Sequence, residues 1–273
     1  MAPDCCERFC GELNPCQDWY TILDGGQVLD VEKTFAYLTR VSLGFKVVSH
    51  LLFNFVFVYT LWIDDHRGIY FGKLTYWALT LCVVYSWMSL ANTALGVTQP
   101  KRCADNVQFR VGVQWFLFHA AAHLSLLVTF LWWVVEFESG ETTFNFKNLS
   151  THGGTCLVLL FEGFVVNRIP IRWFFWWGAV LPINLAYFGW TVLHAKSDIG
   201  NPSRNDSDLL YDTIDWEDDA WGALQTFLVS ILLVGPFLQT LLYAMSLHGW
   251  PVCCGKLIRR YVADSKSSRD IDV

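Results

Sequence analysis

The feature that most constrains this chain is a succession of apolar runs, each long enough or nearly long enough to cross a lipid bilayer. A hydrocarbon core of about 30 Å takes roughly 20 helical residues to span. Six segments answer to that length, at about 41–63, 74–97, 111–135, 152–167, 173–195 and 221–248. The fourth is the shortest and carries Glu162; the RIPIR stretch at 168–172 separates it from the Trp-rich fifth. Pro170 favours a break there, because the residue before a proline resists helical backbone. Lipid admits only structures that satisfy their own backbone hydrogen bonds, which means helices or closed barrels. These runs are continuous and lack the alternation of barrel strands. The expected fold is therefore an all-α membrane protein, a six-transmembrane-helix bundle.

Composition agrees. Hydrophobic residues make up 53% of the 273 positions, and Trp numbers 14; mean hydropathy is +0.33. A soluble protein of this size would need more polar surface. The opening MAPDCCERFC lacks the basic-then-apolar pattern of a cleavable signal, so the first span is expected to serve as the targeting signal. The chain then divides into a Cys-containing N-terminal segment (1–40), the membrane domain (41–248) and a basic, polar tail (249–273).

Lys and Arg placement sets the expected orientation, since cytosolic loops carry the excess. With the N-terminus in the cytosol, thirteen of these residues fall on the cytosolic side and five opposite: Arg67, Lys73, Lys147, Lys196 and Arg204. Both termini are then cytosolic. The sequons at Asn148 and Asn205 fall on the far side, where glycosylation takes place, and are acceptor candidates. Trp132, Trp133, Trp173, Trp176, Trp177, Trp216, Trp221 and Trp250 sit where interfacial anchors belong. Cys5, Cys6, Cys10 and Cys16 precede the first span, and Cys253 and Cys254 follow the last. In the cytosol these are not expected to form disulfides. The juxtamembrane pair Cys253/Cys254 is an S-palmitoylation candidate. The N-terminal cysteines lack zinc-ligand spacing, and no metal or cofactor is expected.

Polar groups inside spans are costly, about 2.5–3.5 kcal/mol for a mid-helix charge, and therefore informative. Ser42, Lys46, His50 and Asn54 recur at steps of four and share one face of the first span, which looks inward. Thr75, Cys82, Ser86, Ser89 and Thr93 line one face of the second, where small polar residues allow close helix packing. His119 and His123 stand one turn apart in the third. Such a pair can hold a metal, or haem with His50, but carboxylate or thiolate partners are missing nearby, and hydrogen bonding across helices explains them better. Thr75, His152 and His194 come to the same outer leaflet in this topology, and a hydroxyl with an imidazole there is the raw material of a nucleophile–base pair. Glu162 lies ten residues beyond His152, about 15 Å along a helix, so those two do not touch.

IYFGKLTYWALTLCVVY (69–85), LPINLAYFGWTVLH (181–194) and LLYDTIDW (209–216) occur in an order that resembles the rolling stone family of multi-pass membrane proteins. The likeness runs from about residue 35 to 250, with Lys73 and Tyr76 departing from the family's motif. It implies a part in cell–cell fusion during muscle development, at the plasma membrane or an endomembrane, with protein partners at a cell–cell contact. Rolling stone proteins look like remote relatives of the androgen-induced family of six-span lipid hydrolases, which use an intramembrane Thr and a His on fatty-acyl esters. That similarity implies Thr75, in Gly72-Lys73-Leu74-Thr75, as nucleophile and His152 as general base, with Glu162 at the family's spacing. Thr39 imitates the Thr motif but falls on the cytosolic side, away from His152. His119, His123, Glu162 and His194 are expected to support the site or line its cavity. Membrane lipids and a lipid-ester substrate are the expected partners, and nucleic acid is not. A channel or transporter would need paired unwound segments at mid-membrane; Pro182 and Pro236 offer kinks only.

Overall fold

A computed structural model of the chain describes residues 40–63, 67–98, 107–136, 145–167, 169, 171–197, 199, 210–211 and 214–248. The apolar runs become helices because they are rich in Leu, Val, Phe and Ala; the two prolines inside them, Pro182 and Pro236, each follow a π turn, at Trp176–Val180 and Ser230–Val234. Helix α1 is Arg40–Ile63. A tight turn of 3₁₀ helix, Arg67–Gly72, leads into α2, Leu74–Thr98. Helix α3 runs from Val107 to Leu131 and continues through a π turn, Trp132–Glu136. Helix α4 occupies Phe146–Val166. Helix α5 is one rod over 173–196, and α6 one rod over 220–248. No strand ladder occurs among the described residues; a lone antiparallel bridge joins Tyr211 and Ile214.

Among the described residues, five helices are long and apolar enough to cross a membrane: Leu43–Ile63, Leu74–Leu95, Phe109–Val134, Phe146–Val166 and Ala220–Ser246. The multi-pass character follows. The α5 rod is of similar length, but Asn184, Tyr187, Trp190 and His194 dilute its apolarity, so a sixth crossing does not follow from length and composition. The N-terminal segment, the tail with Cys253 and Cys254, Thr39 and Asn205 lie outside the described residues.

The helices alternate in direction, as short connections between apolar rods require. One end gathers the start of α1, the end of α2 and the end of α4: Lys46 reaches Thr93, and Ser49 reaches Glu162. The other end gathers the start of α2, the end of α3 and the start of α4. Helix α3 is central, touching α2, α4, α5 and α6, and Ala120, Ala121 and Ala122 are fully buried on it, small enough for close backbone approach.

Helix α4 begins earlier than its hydropathy indicates, at Phe146 instead of about residue 152. The Asn145 side chain caps it, accepting the Asn148 amide at 2.8 Å. A π turn, Ser150–Gly154, then carries the helix across the Gly-Gly pair, so His152 lies within the helix and not at the head of it. A second π turn begins at Glu162. Such turns insert one residue into the helical ladder and re-aim side chains, frequently at functional positions. Gly163 has a packing reason: a Cβ there would collide with the Phe118 ring of α3.

Candidate functional site

Beneath the outer ends of the helices, in the orientation drawn from the basic residues, lies a cavity of about 930 Å³. Its rim carries Lys73, Thr75, Lys147, Asn148, Thr151 and His152. The wall is mostly apolar, with Leu127, Val128 and Leu131 from α3 and Ile231 and Val234 from α6, and Asn184, Gln225, Thr226 and Ser230 add polar groups from α5 and α6. That volume and a mostly apolar wall carrying a limited set of polar groups match a lipid-sized ligand site.

Thr75 and His152 line this one cavity although 77 positions separate them in sequence. Two elements bring them there. Thr75 is the second residue of α2 and partly exposed. His152 is held at φ −106°, ψ 17°, off the helical values of its neighbours. Its ring lies flat against Trp132, with centroids 3.8 Å apart and planes 4° from parallel. The Trp133 indole N–H donates to the His152 carbonyl at 2.9 Å, fixing the backbone as well. His152 is 9% exposed, and its Nδ1 takes no hydrogen-bond partner among the described residues. No hydrogen bond joins Thr75 to His152 in this structure; nucleophile–base contacts of this type commonly tighten only when substrate is bound.

The remaining imidazoles stand apart from the cavity. His119 is fully engaged in the core: its Nδ1 meets the Trp115 carbonyl at 2.8 Å, and its Nε2 accepts the Arg172 amide at 3.0 Å. That fixes the proton on Nδ1 and makes the residue a brace between α3 and the start of α5. His123 is fully buried edge-on to Trp176, 5.1 Å between centroids. His194 is fully buried beside Trp190 and is not part of the lining. Among the described residues, no group of three or more His, Cys, Asp or Glu is arranged to hold a metal ion.

Glu162 also lies away from the cavity, at the opposite end of the bundle. It is fully buried, and its carboxylate accepts the Ser49 hydroxyl at 2.6 Å and the Ser89 hydroxyl at 2.7 Å. Asn167 adds a longer contact at 3.5 Å and donates to the Tyr85 hydroxyl at 2.9 Å. Lys46, 4% exposed, donates to Thr93 at 2.6 Å, and Thr93 in turn donates to the Ser89 carbonyl. Gln114 from α3 joins through Ser89 and Asn92. The inward stripe of α1 and the hydroxyl stripe of α2 thus meet in one network around a buried carboxylate, and Lys46 turns into the bundle. A carboxylate in lipid needs donors, and the α2 stripe was the sequence signal for where they lie.

Sequence reasoning also missed the aromatic half of the site. Trp132, Tyr187 and Tyr211 all line the cavity. Only contacts across the bundle single them out from the many other aromatic residues near the membrane ends. Set against known protein families, curated proteins and solved structures, the chain matches none.

Proposed function

We propose that this protein is an intramembrane hydrolase that cleaves an acyl ester of a membrane lipid, with Thr75 as nucleophile and His152 as general base. The single observation that carries the reading is that these two side chains line one lipid-sized, largely apolar cavity. An imidazole nitrogen of His152 takes the Thr75 Oγ1 proton as that oxygen attacks the ester carbonyl. The tetrahedral intermediate collapses, the C–O bond to the alcohol breaks, and His152 returns the proton to the leaving alcohol. Water, deprotonated by His152, then attacks the acyl-threonine, releasing the fatty acid and restoring the Thr75 hydroxyl. Trp132 does the orienting that a carboxylate does in many triads. Among the described residues no carboxylate hydrogen-bonds the His152 ring.

The reading includes six crossings with both termini cytosolic, which the basic-residue asymmetry and the length of α5 support. It places the reacting groups within reach of the outer leaflet. The likeness to androgen-induced lipid hydrolases points the same way. A part in cell–cell fusion, the other expectation from family likeness, has the rolling stone resemblance as its support and no feature of the cavity.

The test is labelling of membranes containing the protein with a lipophilic fluorophosphonate, comparing wild type, Thr75→Ala and His152→Ala at matched expression. Labelled wild type and unlabelled variants are the expected result. An unlabelled wild type beside a labelled control hydrolase sinks the proposal.

A further inference from the structure

The start of α2 has a problem that its own helix cannot solve. The first N–H groups of any helix lack an intrahelical acceptor, and Thr75 sits among them. A tyrosine from a distant part of the chain answers this, and a second holds the turn that precedes it. The Tyr211 hydroxyl accepts the Leu74 amide at 3.0 Å, across 137 positions. The Tyr187 hydroxyl donates to the Gly72 carbonyl at 2.9 Å, across 115 positions. The two hydroxyls also interact with each other, so they form one chain that grips the backbone on both sides of Lys73. The Tyr187 ring packs edge-on against Trp77 in the same first turn, 5.4 Å between centroids. Tyr211 is itself held by its bridge to Ile214, and both lie at the cavity wall.

We propose that Tyr211 and Tyr187 are positioning residues for Thr75, clamping the turn at Gly72–Leu74 so that the threonine hydroxyl is held at the cavity. This rests on the hydrolase reading above. The Tyr187 ring also packs in the apolar core with Leu74, Leu124 and Leu238, so the hydroxyl is tested apart from the ring by substitution to Phe. The grip of the two tyrosines falls on the two residues that set where the α2 helix begins. Misplacing a nucleophile by about 1 Å costs on the order of 100-fold in rate, so a clamp acting on the preceding residue governs the chemical step and leaves substrate capture alone.

The experiment uses full-length protein in detergent micelles and a fluorophosphonate probe, separating the maximal inactivation rate from the probe concentration for half-saturation. Tyr211→Phe keeps the ring and removes the acceptor. The expected result is a maximal rate lowered by about 10- to 100-fold with half-saturation within about twofold. Tyr187→Phe is expected to lower the rate less, because Leu74 keeps its acceptor. Since the two act as one chain, the double variant falls short of the product of the singles. Amide hydrogen exchange supplies a readout independent of chemistry: in Tyr211→Phe the 72–77 segment exchanges about tenfold faster while α3 is unchanged. If wild type is labelled, Thr75→Ala is not, and Tyr211→Phe reacts like wild type, this inference is overturned and the hydrolase reading stands. Unchanged exchange at 72–77 overturns it as well. An unlabelled wild type overturns both.

Discussion

The indole of Trp132 lies parallel to the imidazole of His152 at 3.8 Å, and both residues belong to π turns, one ending α3 and one near the start of α4. Two irregular turns on neighbouring helices thus create a stacked pair that regular helices of the same sequence would rotate apart. An aromatic pair of this kind contributes about 0.5–1.5 kcal/mol beyond its buried area. If the stack holds the ring in its reactive orientation, Trp132→Ala lowers the probe-labelling rate by roughly two- to twelvefold, and Trp132→Phe recovers part of it. Equal rates for wild type and Trp132→Ala would mean that the Trp133 bond to the His152 carbonyl suffices.

Gly163 carries a prediction about packing alone. A methyl group there runs into the ring of Phe118, which is fully buried and packed among Tyr85, His119 and Phe164. That ring has little room to move, so Gly163→Ala is expected to destabilise the bundle by about 1–3 kcal/mol, the usual cost of overpacking. Phe118→Leu in the same chain should relieve part of the loss. The measurement is detergent-denaturant unfolding of wild type, both single variants and the double. A double variant no more stable than Gly163→Ala alone would show that the clash is not with Phe118.

Hydropathy locates the helices because lipid demands long apolar runs whatever the tertiary fold, and the observed bounds of α1, α2, α5 and α6 differ from the expected ones by a residue or so. It failed at the start of α4, where Asn145, Lys147, Asn148 and Ser150 make a polar first turn that an apolar window passes over. Thr75 and His152 were legible as chemistry, since a hydroxyl and an imidazole at one membrane face are few. Their common cavity was not, because helix adjacency leaves no mark in a single sequence. For the same reason the inward stripe of α1 placed Lys46 toward the bundle without naming its partner, Thr93, 47 positions away.

Asn148 belongs to a sequon and also to the cavity rim. It sits in the first turn of α4, with its backbone N–H donated to the Asn145 side chain, so the sequon is fixed in helical backbone. Ser150, the hydroxyl residue of that sequon, is 8% exposed and donates to the Lys147 carbonyl. An acceptor sequon must present its asparagine and hydroxyl residue together on accessible chain. In the folded protein, then, Asn148→Gln should leave the glycosidase-sensitive mass unchanged, and any such mass should trace to Asn205. Electrophoretic mobility before and after glycosidase treatment decides this, and loss of a glycan in Asn148→Gln would show that modification precedes the folding of α4.

Lys46 and Glu162 supply the sharpest energetic prediction. Each is a charge buried in the membrane-spanning region, and each alone costs about 2.5–3.5 kcal/mol at mid-helix on insertion scales. They are joined through Thr93 and Ser89, since Lys46 donates to Thr93, Thr93 to the Ser89 carbonyl, and the Ser89 hydroxyl to Glu162. Removing one leaves the other buried with only neutral hydroxyl and amide partners, a loss of up to about 3–5 kcal/mol, the scale for a broken buried pair. Removing both leaves serine and threonine hydroxyls, which can turn back to carbonyls of their own helices, as Ser49 already does toward Lys46. Lys46→Met and Glu162→Leu should therefore each destabilise strongly, while the double variant is more stable than either. A double-mutant cycle in detergent-denaturant unfolding measures the coupling directly. Losses that simply add would show that the two charges are stabilised independently, by their hydroxyl partners and not by each other.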